Sequence, residues 1–204
     1  MPYIKKGHYC EHCGRATKIP AKYCDTCRNN LTSIDLARSV FSYEDQALRL
    51  VARYKFYDSR YLKEYFAVEL LNLMREQVIY GDAFTFVPMT KRGLKKRGFN
   101  QSQYLATELS RLTGTPVLDV LKKVKDTPHQ VGLTKDERRE NLNGAFALKE
   151  RKVLEGKTII LVDDVTTTGS TGEVIAKKLK AGGAKKVILL TVASVGYRKN
   201  QGDN

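Results

Sequence analysis

The pattern of hydrophobic and polar positions divides the chain near residue 30. Residues 1–30 show almost no aliphatic periodicity, so this block is too short and too polar to bury a core of its own. Residues 43–56 and 61–79 carry apolar side chains three and four positions apart, which predicts two amphipathic helices, the second ending near Gly81. The pattern therefore predicts a small N-terminal module followed by a larger helical segment.

From residue 83 onward, short apolar runs alternate with helical spacing. Strands are predicted at 83–87, 117–124, 145–148, 158–162 and 186–192, and helices at 100–112 and 171–181. Between them, residues 125–144 are polar and nearly aperiodic, which is typical of a functional loop. Strand–loop–helix alternation predicts an α/β fold with a mostly parallel sheet and helices on both faces. We place the N-terminal module at residues 1–32 and the α/β domain at residues 33–204.

Charge adds a prediction about ligands. The 204 residues contain 36 Lys and Arg against 22 Asp and Glu, a formal charge of +14, which favours a polyanionic partner: nucleic acid, nucleotides or a membrane surface. A basic surface without such a role stays open as the alternative. No apolar run approaches the roughly 18 residues that span a bilayer, and the first residues lack a secretory apolar region. We therefore expect a cytoplasmic protein without membrane insertion.

All four cysteines lie in the N-terminal module. Cys10 and Cys13 form one C-x2-C pair, and Cys24 and Cys27 form a second pair ten residues later. Two such pairs can place four thiolates around one ion, which predicts a closed, structural zinc site. Unliganded thiols or a redox pair are the alternatives, and redox chemistry would need a βαβ context that these residues lack.

The run of residues 159–171 carries the strongest chemical signal. An apolar strand leads into Asp163 and Asp164, and a hydroxyl-rich loop with Gly169 then opens a helix. Backbone N–H groups at a helix N-terminus bind phosphate, and the carboxylates can accept hydrogen bonds from sugar hydroxyls or hold Mg²⁺ through water. An ordinary strand–turn–helix corner is the alternative. A glycine-bearing basic loop is predicted after the strand 83–87, and residues 88–101 contain five basic residues and no acid.

The sequence VDDVTTTGST resembles the phosphoribosyl pyrophosphate (PRPP) motif of type I phosphoribosyltransferases. The resemblance implies that Asp163 and Asp164 contact the ribose hydroxyls and that the following loop holds the 5′-phosphate. The PRPP-binding candidates in this motif are Asp163, Asp164, Val165, Thr166, Thr167, Thr168, Gly169, Ser170 and Thr171. In the resembled fold the basic segment meets the pyrophosphate, so Lys91, Arg92 and Arg97 join the candidates, with Mg²⁺ bound alongside PRPP.

The sequence RGFNQ, the four-cysteine module and the later run ERRENLNGAF together resemble the ComF family of competence proteins, over residues 10 to about 194. This resemblance implies a role in DNA uptake during natural transformation, with single-stranded DNA and a competence DNA translocase as partners. Lys95, Lys96 and Arg97 are the nucleic-acid candidates. Arg138 and Arg139 lie in the position of the flexible catalytic loop and could close over pyrophosphate.

Three functions remain open at this point: a PRPP-binding protein that handles single-stranded DNA, a true transferase with an unidentified acceptor, and a PRPP-sensing regulator that binds nucleic acid. The sequence identifies no candidate residue that would position or activate an acceptor, so the catalytic residues are unknown. Thr167 stands where purine-salvage members of the resembled family carry an aspartate, so the resemblance does not extend to purine salvage. Residues 54–57 mix aromatic and cationic side chains that could stack a base or lie in the core.

Overall fold

The computed structural model describes residues 8–28, 32–43, 45–56, 61–125, 142 and 144–195. The flexible-loop candidates Arg138 and Arg139 lie outside the described residues. Of the aromatic and cationic segment 54–57, only the Tyr54 side chain is described, and it is fully buried in the core. Within the described part of the chain, no helix is long and apolar enough to cross a membrane.

The N-terminal module contains two short strands and one helical turn: β1 (His8–Tyr9), β2 (Ala16–Thr17) and α1 (Asp25–Arg28). The remaining elements are β3 (Leu36–Ser42), α2 (Asp45–Phe56), α3 (Leu62–Glu76), β4 (Ala83–Phe86), α4 (Lys91–Arg97), α5 (Gln101–Thr113), β5 (Leu121–Lys123), β6 (Phe146–Leu148), a 3-10 turn (Lys152–Leu154), β7 (Thr158–Thr166), α6 (Ser170–Ala181) and β8 (Lys186–Ser194).

Four strands form a parallel sheet in the order β3–β8–β7–β4. Because side chains alternate along a strand, Ile160 and Val162 pack with α2, α3 and α5, whereas Ile159 and Leu161 pack with α6 and the antiparallel pair β5–β6. This arrangement explains the uninterrupted apolar run of β7, which is covered on both faces. The predicted α/β fold with a mostly parallel sheet is confirmed.

Three sequence predictions were wrong in detail. Strand β3 was missed because it is a half-buried edge strand whose apolar run is broken by Arg38 and Ser39. The basic segment was predicted as a loop, but its centre is the helix α4, which starts at a capping Thr90 and ends at Gly98 in the left-handed conformation. The predicted strand 117–124 is shorter, because only β5 forms a ladder along its length and Val117 forms an isolated bridge to Phe84.

The N-terminal module lies against the free edge of β3. The N–H of Ala37 donates to the carbonyl of His12 (2.8 Å), and the Arg38 guanidinium donates to the carbonyl of Glu11 (2.7 Å) and covers the ring of Tyr9. These contacts occupy backbone groups that an exposed sheet edge would leave unpaired. The module therefore covers part of the edge strand β3, while its own strands β1 and β2 form a separate two-stranded sheet.

Candidate functional site

The two predicted carboxylates lie near the carboxyl end of β7, in the middle of the sheet. The Asp163 carboxylate accepts hydrogen bonds from the Ser102 hydroxyl and from the N–H of Asp164, both at 2.9 Å. The Asp164 carboxylate accepts one from the N–H of Val165 (2.7 Å) and is only 8% exposed. Ligands of open α/β sheets bind at this end of the strands, so the carboxylates stand where a ligand is expected.

The N-terminus of α5 supports both the carboxylates and the neighbouring helix. Asn100 caps α5 by accepting from the N–H groups of Ser102 and Gln103, and its amide donates to the carbonyl of Val87 at the end of β4. The Gln101 backbone carbonyl accepts from the Tyr54 hydroxyl (2.9 Å). Burial raises the pKa of Tyr54, and the nearby Asp164 carboxylate adds to the shift. The phenol therefore stays protonated and donates.

Helix α4 brings a cation to the same place. The guanidinium of Arg97 donates to the side-chain oxygen of Gln101 (3.2 Å), which fixes the charge beside the N-terminus of α5. Lys91, Arg92, Lys95 and Lys96 are exposed on the same helix. Arg97 is the one half-buried cation among the five of α4, so this helix presents one cation inward and four toward solvent.

The predicted phosphate loop follows β7 and ends at the start of α6. Gly169 has a φ of 79°, a left-handed conformation that favours glycine, and a Cβ built there would meet no atom within 4 Å. The Thr168 and Ser170 hydroxyls share a hydrogen bond (2.8 Å). Along α6 the N–H of Glu173 donates to Gly169, so the N–H groups of the preceding turn have no intrahelical acceptor. Such groups suit an anion.

These elements enclose a cavity of about 330 Å³. The residues that line it are Val87, Pro88, Met89, Thr90, Gly93, Arg97, Asn100, Gln101, Ser102, Lys123, Phe146, Asp163, Asp164 and Thr171. Ligand pockets of enzymes and binding proteins begin at about this size. Carboxylates, a guanidinium and hydroxyls meet there with the end of a helix, a combination that suits a polyhydroxylated phosphate ester.

The structure brings together four of the predicted ligand residues, Asp163, Asp164, Thr171 and Arg97. Lys91 and Arg92 lie on the exposed part of α4, beside the lining residues Thr90 and Gly93, and the remaining candidates lie in or next to the loop that precedes α6. Sequence reasoning did not assign site roles to Asn100, Gln101 and Ser102, or to Lys123 and Phe146 of the β5–β6 pair. The motif RGFNQ contained a signal for the first two, because it starts a helix next to the basic segment.

The four cysteines form a second candidate site. Their sulfur atoms all lie within 4.8 Å of one another, with Sγ distances of 4.0 Å for Cys10–Cys27 and 3.8 Å for Cys13–Cys24. A Zn–S bond of about 2.3 Å sets the edge of a regular tetrahedron at about 3.8 Å, whereas a disulfide needs about 2.05 Å. The cluster can hold a metal ion such as zinc.

Backbone donors at this cluster favour thiolate at one cysteine. Burial alone would raise the pKa of Cys10, but the N–H groups of Cys13, Cys24 and His12 outweigh it and lower that pKa to about 7. Burial raises the pKa of Cys13 to about 11 and raises that of Cys27 as well. Without a cation the thiols of Cys13 and Cys27 therefore resist ionisation, and a bound metal ion would supply the missing positive charge.

Comparisons with known proteins agree with this geometry. A family model described as phosphoribosyl transferase domain matches residues 93–203. Competence protein F of Haemophilus influenzae is 33% identical over 191 residues, which cover 90% of this chain and 83% of that protein. The chain belongs to the ComF family. Within this family, the DNA utilization protein YhgH of Salmonella typhimurium is 30% identical over 87% of this chain and 80% of its own length.

Competence protein ComFC of Bacillus subtilis is 28% identical, covering 81% of this chain and 68% of its own length. Among solved structures, glutamine PRPP amidotransferase from B. subtilis is 19% identical and covers 80% of this chain and 32% of that chain, with a TM-score of 0.48. The fold assignment therefore rests on the family model and the sheet topology. ComF membership, implied by the resemblance of the motifs, is confirmed.

Proposed function

We propose that the cavity binds PRPP together with Mg²⁺, and that this ComF protein handles single-stranded DNA during DNA uptake. One observation carries the ligand: the carboxylates of β7, Thr171 in the first turn of α6 and the guanidinium of Arg97 line the same cavity. A ribose needs acceptors for its hydroxyls, and its two phosphate groups need donors and cations. The cavity offers both within one small volume.

Each part of the ligand has a matching group. Asp163 and Asp164 accept hydrogen bonds from the ribose 2′- and 3′-hydroxyls. The N–H and hydroxyl groups of the loop from Thr166 to Thr171, with the N-terminus of α6, hold the 5′-phosphate. Arg97 contacts the pyrophosphate, with Lys91 and Arg92 beside it. Mg²⁺, when bound through water to the carboxylates, would neutralise charge on the pyrophosphate.

The nucleic-acid part of the proposal rests on charge and on the family. Competence and DNA utilization proteins are among its curated members. The formal charge of +14 favours polyanions. Lys95 and Lys96 are exposed on α4, the helix that contributes Gly93 and Arg97 to the cavity, and these two lysines and Arg97 are the candidates for phosphate contacts. A translocase of the competence machinery remains the proposed protein partner.

We propose zinc as the ion of the cysteine cluster, with Cys10, Cys13, Cys24 and Cys27 as its ligands. The sulfur spacing fits a tetrahedral ion, and four thiolates leave no open position for catalysis. The ion therefore has a structural role: it replaces the core that this short module lacks.

The PRPP proposal is tested with the double variant Asp163→Asn and Asp164→Asn. Its control is Asp119→Asn with Glu150→Gln, which removes the same charge from two exposed acids. By simple attraction, both variants should bind an anion better than the original protein. We nevertheless expect the first to lose PRPP affinity by about 100-fold or more, since two hydrogen bonds to charged groups contribute about 3 kcal/mol or more.

Calorimetric titration with PRPP, with and without Mg²⁺, makes the measurement, and circular dichroism checks that both variants fold. Unchanged PRPP affinity in a folded double variant would refute the proposal. Equal loss in the control would show that affinity depends on overall charge rather than on the carboxylates of β7.

A further inference from the structure

Half of the net positive charge lies at the other end of the sheet. Residues 149–157 contain four basic and two acidic residues, and residues 177–186 contain five basic residues and no acid. Together these 19 residues contribute +7 of the formal +14. They precede β7 and β8, so they lie at the amino ends of the central strands, whereas the cavity lies at the carboxyl ends.

Backbone hydrogen bonds join the two segments into one surface. The N–H groups of Lys185 and Lys186 donate to the carbonyl of Lys157 (2.8 and 3.3 Å), and the N–H of Gly156 donates to Gly183 (3.0 Å). In the sheet Lys186 is opposite Thr158, so the basic residues that precede the two strands are neighbours. The cations are therefore close in space as well as in sequence.

Most of these cations have no acidic partner. Lys149, Lys177 and Lys180 form ion pairs with Asp119, Glu173 and Asp35. The other six form no ion pair with any described residue, and we name them the amino-end surface: Arg151, Lys152, Lys157, Lys178, Lys185 and Lys186. All but Lys157 are exposed. Such a concentration of unpaired charge costs stability through self-repulsion and would be relieved by a bound polyanion.

We propose that the amino-end surface binds the sugar–phosphate backbone of nucleic acid. The two segments contain no aromatic residue that could stack on a base. Their apolar side chains are turned inward: Leu154 and Leu179 are fully buried, so no apolar face is available for insertion into a lipid surface. Contacts through phosphates alone give binding that depends strongly on salt and little on base sequence.

The amino-end surface lies far from the cavity that is proposed to bind PRPP. Strand β7 has nine residues, and at about 3.3 Å per residue its two ends are about 26 Å apart. The Debye length at physiological salt is about 8 Å, so charges at one end are largely screened from the other. Nucleic acid on the amino-end surface therefore leaves the cavity open, and both ligands can be bound at once. This inference rests on the nucleic-acid part of the proposed function and is independent of the PRPP part.

The test removes three exposed cations from the surface, with the triple variant Lys152→Gln, Lys178→Gln and Lys185→Gln. The control removes the same charge from the exposed α2 and α3 positions, with Arg49→Gln, Arg53→Gln and Arg75→Gln. Fluorescence anisotropy with a labelled 20-nucleotide DNA strand is measured from 50 to 200 mM salt. PRPP affinity of each variant is measured by calorimetry.

We expect the triple variant to bind the strand about tenfold more weakly or worse, and its plot of log affinity against log salt to be shallower by about 2, at roughly 0.7 per lost contact. Mixed-sequence and oligo-dT strands should bind each protein with similar affinity and similar salt dependence. The control should lose less than threefold, and PRPP affinity should stay within twofold.

Equal loss of DNA affinity in the triple variant and the control, or no loss of DNA affinity in the triple variant, would overturn the inference. Binding to vesicles that contain anionic lipid is measured for the same proteins. If the triple variant keeps its DNA affinity but loses binding to these vesicles, the inference is overturned in favour of a membrane surface. Absence of PRPP binding in every protein, with selective loss of DNA binding in the triple variant, would refute only the PRPP proposal.

Discussion

The hydroxyl of Ser102 offers a sharp test of how the site is built. It donates to the Asp163 carboxylate at 2.9 Å and is 5% exposed, so water cannot easily replace it. A hydrogen bond to a charged group contributes about 1.5–3 kcal/mol. Asp163 keeps the N–H of Asp164 as a second donor. We therefore take the lower value for Ser102→Ala, about 1.5 kcal/mol, which corresponds to a roughly tenfold change in affinity.

We expect Ser102→Ala to bind both PRPP and ribose 5-phosphate about tenfold more weakly, because both need the oriented Asp163 carboxylate. Pyrophosphate lacks the ribose, so its affinity should change by less than twofold. Ser110→Ala removes the same hydroxyl from a half-buried position further along α5 and serves as the matched control. Calorimetry with the three ligands makes the comparison. If the affinity of Ser102→Ala for PRPP stays within twofold of the original protein, or if pyrophosphate binding falls equally, Ser102 does not position Asp163 for a sugar.

Three further predictions concern the metal, the core and the basic helix. Cys24→Ser should lose about one equivalent of zinc in metal analysis while the circular dichroism of the sheet persists; undiminished zinc would contradict the cluster. Tyr54→Phe should lower the unfolding free energy at pH 7 by about 1 kcal/mol through the lost hydrogen bond. Burial raises the pKa of Tyr54, so above the usual tyrosine pKa of about 10 the original protein should lose more stability than the variant, and the difference in unfolding free energy should vanish near pH 11. A difference that stays constant with pH would exclude this linkage. Lys95→Glu with Lys96→Glu should weaken DNA binding more than PRPP binding. An equal loss of both affinities would contradict the assignment of these two lysines to DNA rather than to PRPP.

The central part of the fold could be predicted because its physical signals are local. The apolar run of β7 is continuous since helices cover both faces of the sheet. The helix predicted at 100–112 agrees to one residue at each end with α5, whose start is capped by Asn100 and whose end is capped by Gly114. These elements needed no knowledge of distant contacts.

Elements at the edges could not be predicted in the same way. Strand β3 depends on pairing with β8, more than 140 residues away, and on the N-terminal module that covers its free edge. Helix α4 contains a glycine and five cations, a composition that also suits a loop, and its hydrogen-bonded capping threonine decides the outcome. Edge and surface elements carry weak apolar patterns because they bury little.

Three charged residues that line the cavity, Asp163, Asp164 and Arg97, were predicted from the sequence, whereas Lys123 and the residues that orient the charged groups were missed. Asp163 and Asp164 stood out because two carboxylates directly followed an apolar run. Ser102 and Gln101 were missed because their roles arise only when the start of α5 meets β7 and α4 in space. The amino-end surface was missed for the same reason, since β7 and the first part of α6 separate its two segments along the chain.

The most direct test of the central claim is a crystal structure of the protein with Mg²⁺ and PRPP. The account predicts the 5′-phosphate at the N–H groups that start α6, the ribose hydroxyls within about 3 Å of the Asp163 and Asp164 carboxylates, and the pyrophosphate beside Arg97. A cavity without ligand at millimolar PRPP, or PRPP bound away from the carboxyl end of β7, would contradict it.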